Sequence, residues 1–304
     1  MPTAPVPEPA GTSVAEVRAA LEAHGYLPDD GLATAVFLAL TLERPLLLEG
    51  EAGVGKTEVA KVLARWTGGE LIRLQCYEGI DVHQAVYEWD WSRQLLHLRA
   101  REAAGAAVVE DELYSERFLV RRPLLRAIDH RVAVPPVLLV DEVDRADDEF
   151  EAFLLEILSD HAVTVPELGT FRAETAPIAV LTSNRTRDVH DALKRRCLYH
   201  WVDHPDFERE LAIVRRKAPE ASEALAREVA AATEVLRDLE LVKPPGVAET
   251  IDWAAALARL GASHLDEDVV LATLGVVLKY REDQARVRAH GVADVVRAAV
   301  TRSA

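Results

Sequence analysis

The chain has 304 residues, and its 35 Lys and Arg against 51 Asp and Glu leave a net charge of −16, a balance that disfavours nucleic acid or an anionic membrane as partner. Hydrophobic residues make up 49%, ample for a packed core; the length suggests two domains, and no apolar run reaches a membrane span. Cys76 and Cys197 are far apart and the ten histidines lack paired spacing, which excludes a disulfide framework and a sequence-local metal motif.

Residues 1–12 hold Pro2, Pro5, Pro7, Pro9 and Gly11 and read as a disordered tail, without the basic and apolar regions of a signal peptide; a cytoplasmic location is expected. Ser13 caps a helix through His24, with Glu16 as capping-box partner, and a second helix, Asp30 to Leu42, is apolar nearly all round and should be buried. A strand at Pro45 to Glu49 precedes a glycine loop and a helix ending at Gly68-Gly69; Leu71 to Gln75 is the next strand. Between Cys76 and Asp129 lie Tyr77, Tyr87, Trp89 and Trp91, helices over Ser92 to Ala104 and Leu124 to Asp129, and an acidic loop at Glu110-Asp111-Glu112. Val137 to Val140 is a continuous apolar run of the kind a parallel strand buried on both faces needs. A helix follows over Asp148 to Ser159, then a hairpin over Ala162 to Glu174, a strand at Ile178 to Leu181, a helix reaching Lys194 and a strand at Leu198 to Val202.

Beyond Pro205 only helical patterns remain: Asp206 to Lys217, Ser222 to Leu239, Val247 to Leu260, Asp266 to Tyr280 and Val292 to Thr301. Alternation of strands and helices followed by helices alone predicts a parallel α/β core over residues 13–204 and an all-α lid over 205–304.

The chain's centre is Gly50-Glu51-Ala52-Gly53-Val54-Gly55-Lys56-Thr57, between a strand and a helix. That order and spacing define the phosphate-binding P-loop. Glycines let the backbone approach an anion; amides of the loop and of the first helical turn, through Glu58, point at the β-phosphate. Lys56 supplies a mobile cation for the β- and γ-phosphates, and the Thr57 hydroxyl can ligate Mg²⁺. The alternative, a glycine turn before an ordinary helix, does not account for the lysine and threonine at those positions. A loop binding a nucleoside triphosphate, ATP with Mg²⁺, is therefore expected. Asp141 ends the later core strand, where P-loop proteins place the carboxylate that helps hold Mg²⁺, and Glu142 after it can accept a proton from water.

With these motifs, Leu138-Leu139-Val140-Asp141-Glu142-Val143-Asp144-Arg145-Ala146 resembles the second nucleotide motif of AAA+ ATPases, in the form used by their MoxR branch. The resemblance implies a sensor role for Asn184, in Thr182-Ser183-Asn184, and an arginine finger acting on the next subunit's nucleotide at Arg195 or Arg196. It places the hairpin Ala162 to Glu174 at the pre-sensor insertion of that clade. It also implies a homo-oligomeric ring, as a hexamer, that remodels a protein client. Tyr77-Glu78-Gly79-Ile80-Asp81 and Arg195-Arg196-Cys197-Leu198-Tyr199-His200-Trp201 are similar to the MoxR-type ATPases encoded beside carbon monoxide dehydrogenase and related molybdenum hydroxylases. Those implied partners are a molybdenum hydroxylase and a von Willebrand A-domain protein.

One feature departs from the family. Pro244 to Trp253 lacks the arginine that such lids carry near their third helix, leaving Lys243 or Arg259 as its replacement, or none. The aromatic residues of the 76–129 segment fit either packing or a client-gripping surface. Three function classes are carried: a remodelling ATPase, a nucleotide switch with little hydrolysis, and a nucleic-acid motor of related fold.

Overall fold

The computed structural model describes residues 13–105, 110–130 and 132–303, so the tail expected over residues 1–12 lies outside the described residues. In chain order come α1 (Val14–Ala23), α2 (Asp30–Leu42), β1 (Leu46–Glu49), α3 (Lys56–Thr67) and β2 (Leu71–Gln75). There follow α4 (Val82–Val86), β3 (Tyr87–Trp89), α5 (Trp91–Ala103), α6 (Glu110–Leu113), β4 (Leu119–Arg121) and α7 (Pro123–Ile128). Then come β5 (Val137–Asp141), α8 (Asp148–Asp160), the hairpin β6 (Ala162–Val165) and β7 (Gly169–Arg172), β8 (Ile178–Ser183), α9 (Asp191–Arg196) and β9 (Leu198–Trp201). The remainder is helical: α10 (Phe207–Lys217), α11 (Glu223–Asp238), α12 (Val247–Arg259), α13 (Glu267–Val277), α14 (Arg281–His290) and α15 (Val292–Ser303).

The main sheet has the order β2-β5-β8-β1-β9, with every pairing parallel. All residues of β1 and β5 are buried, as expected of strands covered on both faces, whereas β2 at the edge alternates buried Ile72 and Leu74 with exposed Arg73 and Gln75. The expected parallel α/β core followed by helices is therefore present. In such sheets functional groups gather at the carboxyl ends of the strands. Here Glu49, Asp141 and Ser183 end β1, β5 and β8.

Ser or Asp side chains cap the first turns of α1, α2, α5, α8, α10, α11 and α13, each accepting a backbone N–H from its own helix. Helix α12 differs, because its N-cap is Gly246. The chain packs as two compact units: one holds α1, Pro28–Glu49 and Thr57–Trp201, the other Gly25–Leu27, Gly50–Lys56 and the described residues from Val202 on. Each has its own apolar core, built around Leu138, Val140, Phe150 and Leu181 in the first and Val229, Trp253, Leu257 and Leu274 in the second. Among the described residues no helix is long and apolar enough to cross a membrane.

Several local expectations are corrected. Helix α2 buries Leu32, Ala33, Val36 and Ala39 against α1, β1 and β9 but exposes Leu38 and Leu42. Glu110 to Leu113 form a helical turn, not a loop. The helix expected to run to Tyr280 stops at Val277, where Leu278 turns extended, and α14 then begins at Arg281. The antiparallel pair β3–β4 was not expected, since three residues per strand show no alternation to read. Trp89 and Tyr87 are buried there, with the Trp89 ring edge-on to Tyr87 and Tyr114, while Tyr77 and Trp91 are exposed. The aromatic cluster thus divides between packing and surface. Helix α5 buries Gln94 and leaves Trp91, Leu95 and Leu96 facing solvent.

Candidate nucleotide site

The glycine loop follows β1 and ends in the first residue of α3. Gly53 and Gly55 take φ of +84° and +98°, a region that other residues enter at a cost. At Gly50 an added Cβ would lie 2.3 Å from the Val202 carbonyl oxygen, so only glycine fits. Lys56 is buried and its Nζ donates to the carbonyls of Gly50 at 2.8 Å and Glu51 at 2.6 Å, folding the loop around its ammonium group. Val54 is buried, Ala52 exposed, and the Glu51 carboxylate lies 3.0 Å from His204 Nε2. The Glu58 side chain faces Lys61 and Arg65 along its own helix.

Thr57, the next residue of α3, donates its hydroxyl to Asp141 Oδ1 at 3.1 Å. The same oxygen accepts the Thr182 hydroxyl at 2.5 Å, and Oδ2 accepts Arg73 Nη2 at 2.6 Å. Glu142 stands beside this cluster: Oε1 accepts Asn184 Nδ2 at 3.4 Å, while Oε2 accepts Gln75 Nε2 at 3.2 Å and pairs with Arg145 at 3.0 Å. Its backbone is left-handed, φ +56°, as is that of Arg185 just beyond β8. The other two such non-glycine residues among the described ones, Glu43 and His161, are helix C-caps, where this conformation is ordinary. Glu142 and Arg185 therefore carry backbone strain where functional side chains gather. Asp144 fixes the loop after β8, accepting Asn184 N–H at 3.3 Å and the Thr186 hydroxyl at 2.7 Å.

Glu49 is buried at the end of β1, with the Ser183 hydroxyl donating to it at 3.3 Å and Lys194 Nζ at 4.0 Å. Burial and the Glu49 carboxylate together push the Tyr199 hydroxyl pKa up. Arg195 and Arg196 both lie exposed at the end of α9, but they differ. Arg196 Nη1 donates to Ser159 of α8 at 2.6 Å, whereas Arg195 makes no side-chain hydrogen bond or ion pair among the described residues.

The sequence profile of the AAA domain, dynein-related subfamily, matches residues 45–197, half of the chain. The chain belongs to the dynein-related AAA family. It is an AAA+ ATPase of that type, and Thr57, Asp141, Glu142 and Asn184 all fall within the matched span. Midasin from Giardia intestinalis is 31% identical over 110 residues, which are 33% of this chain and only 2% of midasin. A candidate ATPase from Cytophaga hutchinsonii is similar in structure over 95% of this chain and 96% of its own, at 13% identity and a TM-score of 0.46. The RuvB Holliday junction branch migration motor of Thermotoga maritima is similar over 90% of this chain and 74% of its own, at 16% identity and a TM-score of 0.46.

Within this AAA domain the oxygens of Thr57 and Asp141 are the hard donors that Mg²⁺ takes when most of its other ligands are water and phosphate. Among the described residues no group of three or more His, Cys, Asp or Glu side chains could hold a metal by itself. A cavity of about 680 Å³ lies beside Asp144, Arg145 and Arg187, but neither the glycine loop nor Asp141 nor Glu142 lines it. Arg73, Gln75 and Thr182 were not picked out from the sequence; Thr182 stands in the motif quoted for Asn184, while nothing marks Arg73 and Gln75 beyond their place at the end of an edge strand. Lys243 and Arg259 are both exposed, and Lys243 is engaged through its backbone N–H, which donates to Asp283 at 3.1 Å. Burial, then the carboxylates of Asp141 and Asp144, raise the Cys76 thiol to about 12; burial raises Cys197 to about 12, against a smaller opposing effect of Arg44.

Proposed function

We propose that the chain is a MoxR-type AAA+ ATPase, similar to CoxD, that couples Mg²⁺-dependent ATP hydrolysis to maturation of a molybdenum hydroxylase client. The observation that carries the ATPase part is the cluster in which Asp141 accepts the Thr57 hydroxyl and Glu142 accepts the Asn184 amide. In this reading the loop amides and Lys56 hold the β- and γ-phosphates, Lys56 exchanging its loop carbonyls for phosphate oxygens. Thr57 and Asp141 hold Mg²⁺, which when bound neutralises charge on the phosphates. Asn184 orients Glu142, and Glu142 takes the proton of the attacking water.

Arg195, exposed and without a side-chain hydrogen bond or ion pair among the described residues, is the better placed of the two arginines to reach a neighbouring subunit's nucleotide, in a homo-oligomeric ring we expect to be a hexamer. The exposed Tyr77 and Trp91 suit contact with a client. The client assignment rests on the CoxD-like phrases and on the chemistry of a buried cofactor: completing a metal centre inside a folded hydroxylase requires part of that enzyme to open, at a cost an ATP-driven ring can meet. The sulfur and metal chemistry belongs elsewhere, since both cysteines are buried. A cytoplasmic protein working with a von Willebrand A-domain partner completes the reading.

Mg²⁺-dependent phosphate release, lost in Lys56→Ala and Asp141→Asn, tests the enzymatic part. Deleting the gene tests the client part: the hydroxylase should be made and hold its molybdenum cofactor, yet be inactive. A fully active hydroxylase in that strain would remove the client and leave the ATPase standing.

A further inference from the structure

The first turn of α12 is capped from outside its own sequence. Gly246 has no side chain to accept the orphan N–H groups of the turn. One of them, Ala248 N–H, instead points at the Gly53 carbonyl of the glycine loop, 3.4 Å away. Gly246 has φ −82°, open to any residue, so its backbone does not require glycine. The space does: an added Cβ would lie 2.8 Å from Gly53 Cα and 2.9 Å from the Ala52 carbonyl oxygen. From the other side, a Cβ on Gly53 would lie 3.1 Å from Gly246 Cα and 3.0 Å from Glu249 Oε2. Two glycines that face each other at this distance make a backbone contact with no room for a side chain between them.

The contact is supported from behind. Arg237 Nε donates to the Pro245 carbonyl at 2.8 Å, and its guanidinium meets both oxygens of buried Glu210, which also accepts the Thr250 hydroxyl at 2.7 Å. Asp283 accepts the N–H groups of Val242 at 2.7 Å and Lys243 at 3.1 Å, and Glu249 accepts the N–H of Gly246 at 3.0 Å. The approach to Gly246 is thus held at several consecutive residues.

We propose that the glycine loop is itself the N-terminal cap of α12, and that Gly246 is the positioning residue that permits it. Occupancy of the loop then changes the first turn of α12 directly, through backbone, at the helix where the arginine that such lids carry is absent. The inference rests on the reading that this loop binds nucleotide.

The test compares full-length Gly246→Ser and Gly246→Ala with the unaltered protein and with Gly275→Ala, whose added Cβ would meet only Gln284 Nε2 at 3.7 Å. Serine is a better helix cap than glycine, so if the glycine served α12 alone, Gly246→Ser would leave nucleotide binding untouched and hold or raise the urea midpoint. The proposal predicts that both Gly246 variants bind fluorescent mant-ADP at least about tenfold more weakly, with Gly275→Ala unchanged. Affinity within about twofold of the unaltered protein in both variants overturns it. Should the variants not fold, hydrogen exchange on the unaltered protein decides. Exchange at Gly246 and Ala248 must change when mant-ADP is added, and identical exchange overturns the proposal. If the unaltered protein binds no mant-ADP, the reading of the loop fails first and this inference falls with it.

Discussion

Replacing Arg237 by Met should cost the protein about 4 kcal/mol. The guanidinium donates to Glu210 at 2.5 and 2.8 Å, and the two side chains are 12% and 1% exposed, so solvent screens the pair little. Methionine fills much of the volume of the arginine stem, which keeps the packing loss small. What remains is a buried carboxylate with Thr250 as donor and a Pro245 carbonyl without its partner. Orphaning a buried charge costs about 3–5 kcal/mol, and the lost carbonyl bond adds about 1; taking the lower end of the first range gives the figure above. Changing both partners, Arg237→Met with Glu210→Leu, should recover most of it, because no charge is then left buried. Urea unfolding followed by circular dichroism measures both variants. A single variant within about 1 kcal/mol of the unaltered protein, or a double variant as unstable as the single one, would refute the reasoning.

Three further outcomes are expected. Arg195→Ala should lower hydrolysis by several orders of magnitude in assembled protein, while Arg196→Ala, whose side chain is tied to Ser159, should lower it far less; equal losses would contradict the assignment. Mixing Arg195→Ala with Lys56→Ala subunits should restore part of the activity, and the absence of rescue at any concentration would argue for a site completed within one chain. The folded-state pKa values of Cys76 and Cys197 lie near 12, above their ordinary 9.0, so their contribution to stability is complete below pH 9 and is lost as pH rises toward 12; replacing both by Ala should flatten that alkaline loss, and an unchanged slope would contradict it.

The nucleotide motifs were legible because they are local. Glycine spacing, Lys56 and Thr57 sit in one run, and the apolar run ending at Asp141 shows its burial on both faces. Long helices were legible for a related reason: α1, α2, α8 and α10 each open on Ser or Asp next to a periodic apolar stripe. What escaped depends on contacts between distant residues. Arg73 and Gln75 matter because the parallel register places Gln75 opposite Asp141, and no property of β2 alone announces that. The strands β3 and β4 are three residues each, and α14, Arg281–His290, buries little beyond Val287 and Asp283, so its periodicity is faint. Helix α5 is harder to read, since Trp91, Leu95 and Leu96 are exposed although apolar. The meaning of Gly246 was equally hidden, because a φ of −82° gives no reason for glycine until the Gly53 backbone is seen opposite it.

In the proposed mechanism Glu142 takes the proton from the water that attacks bound ATP. A single-turnover measurement on Glu142→Gln, with ATP affinity measured in the same preparation, tests it most directly. ATP binding should stay within about threefold of the unaltered protein and hydrolysis should slow by about two to four orders of magnitude, because an amide accepts no proton from water. Hydrolysis at the unaltered rate would contradict it.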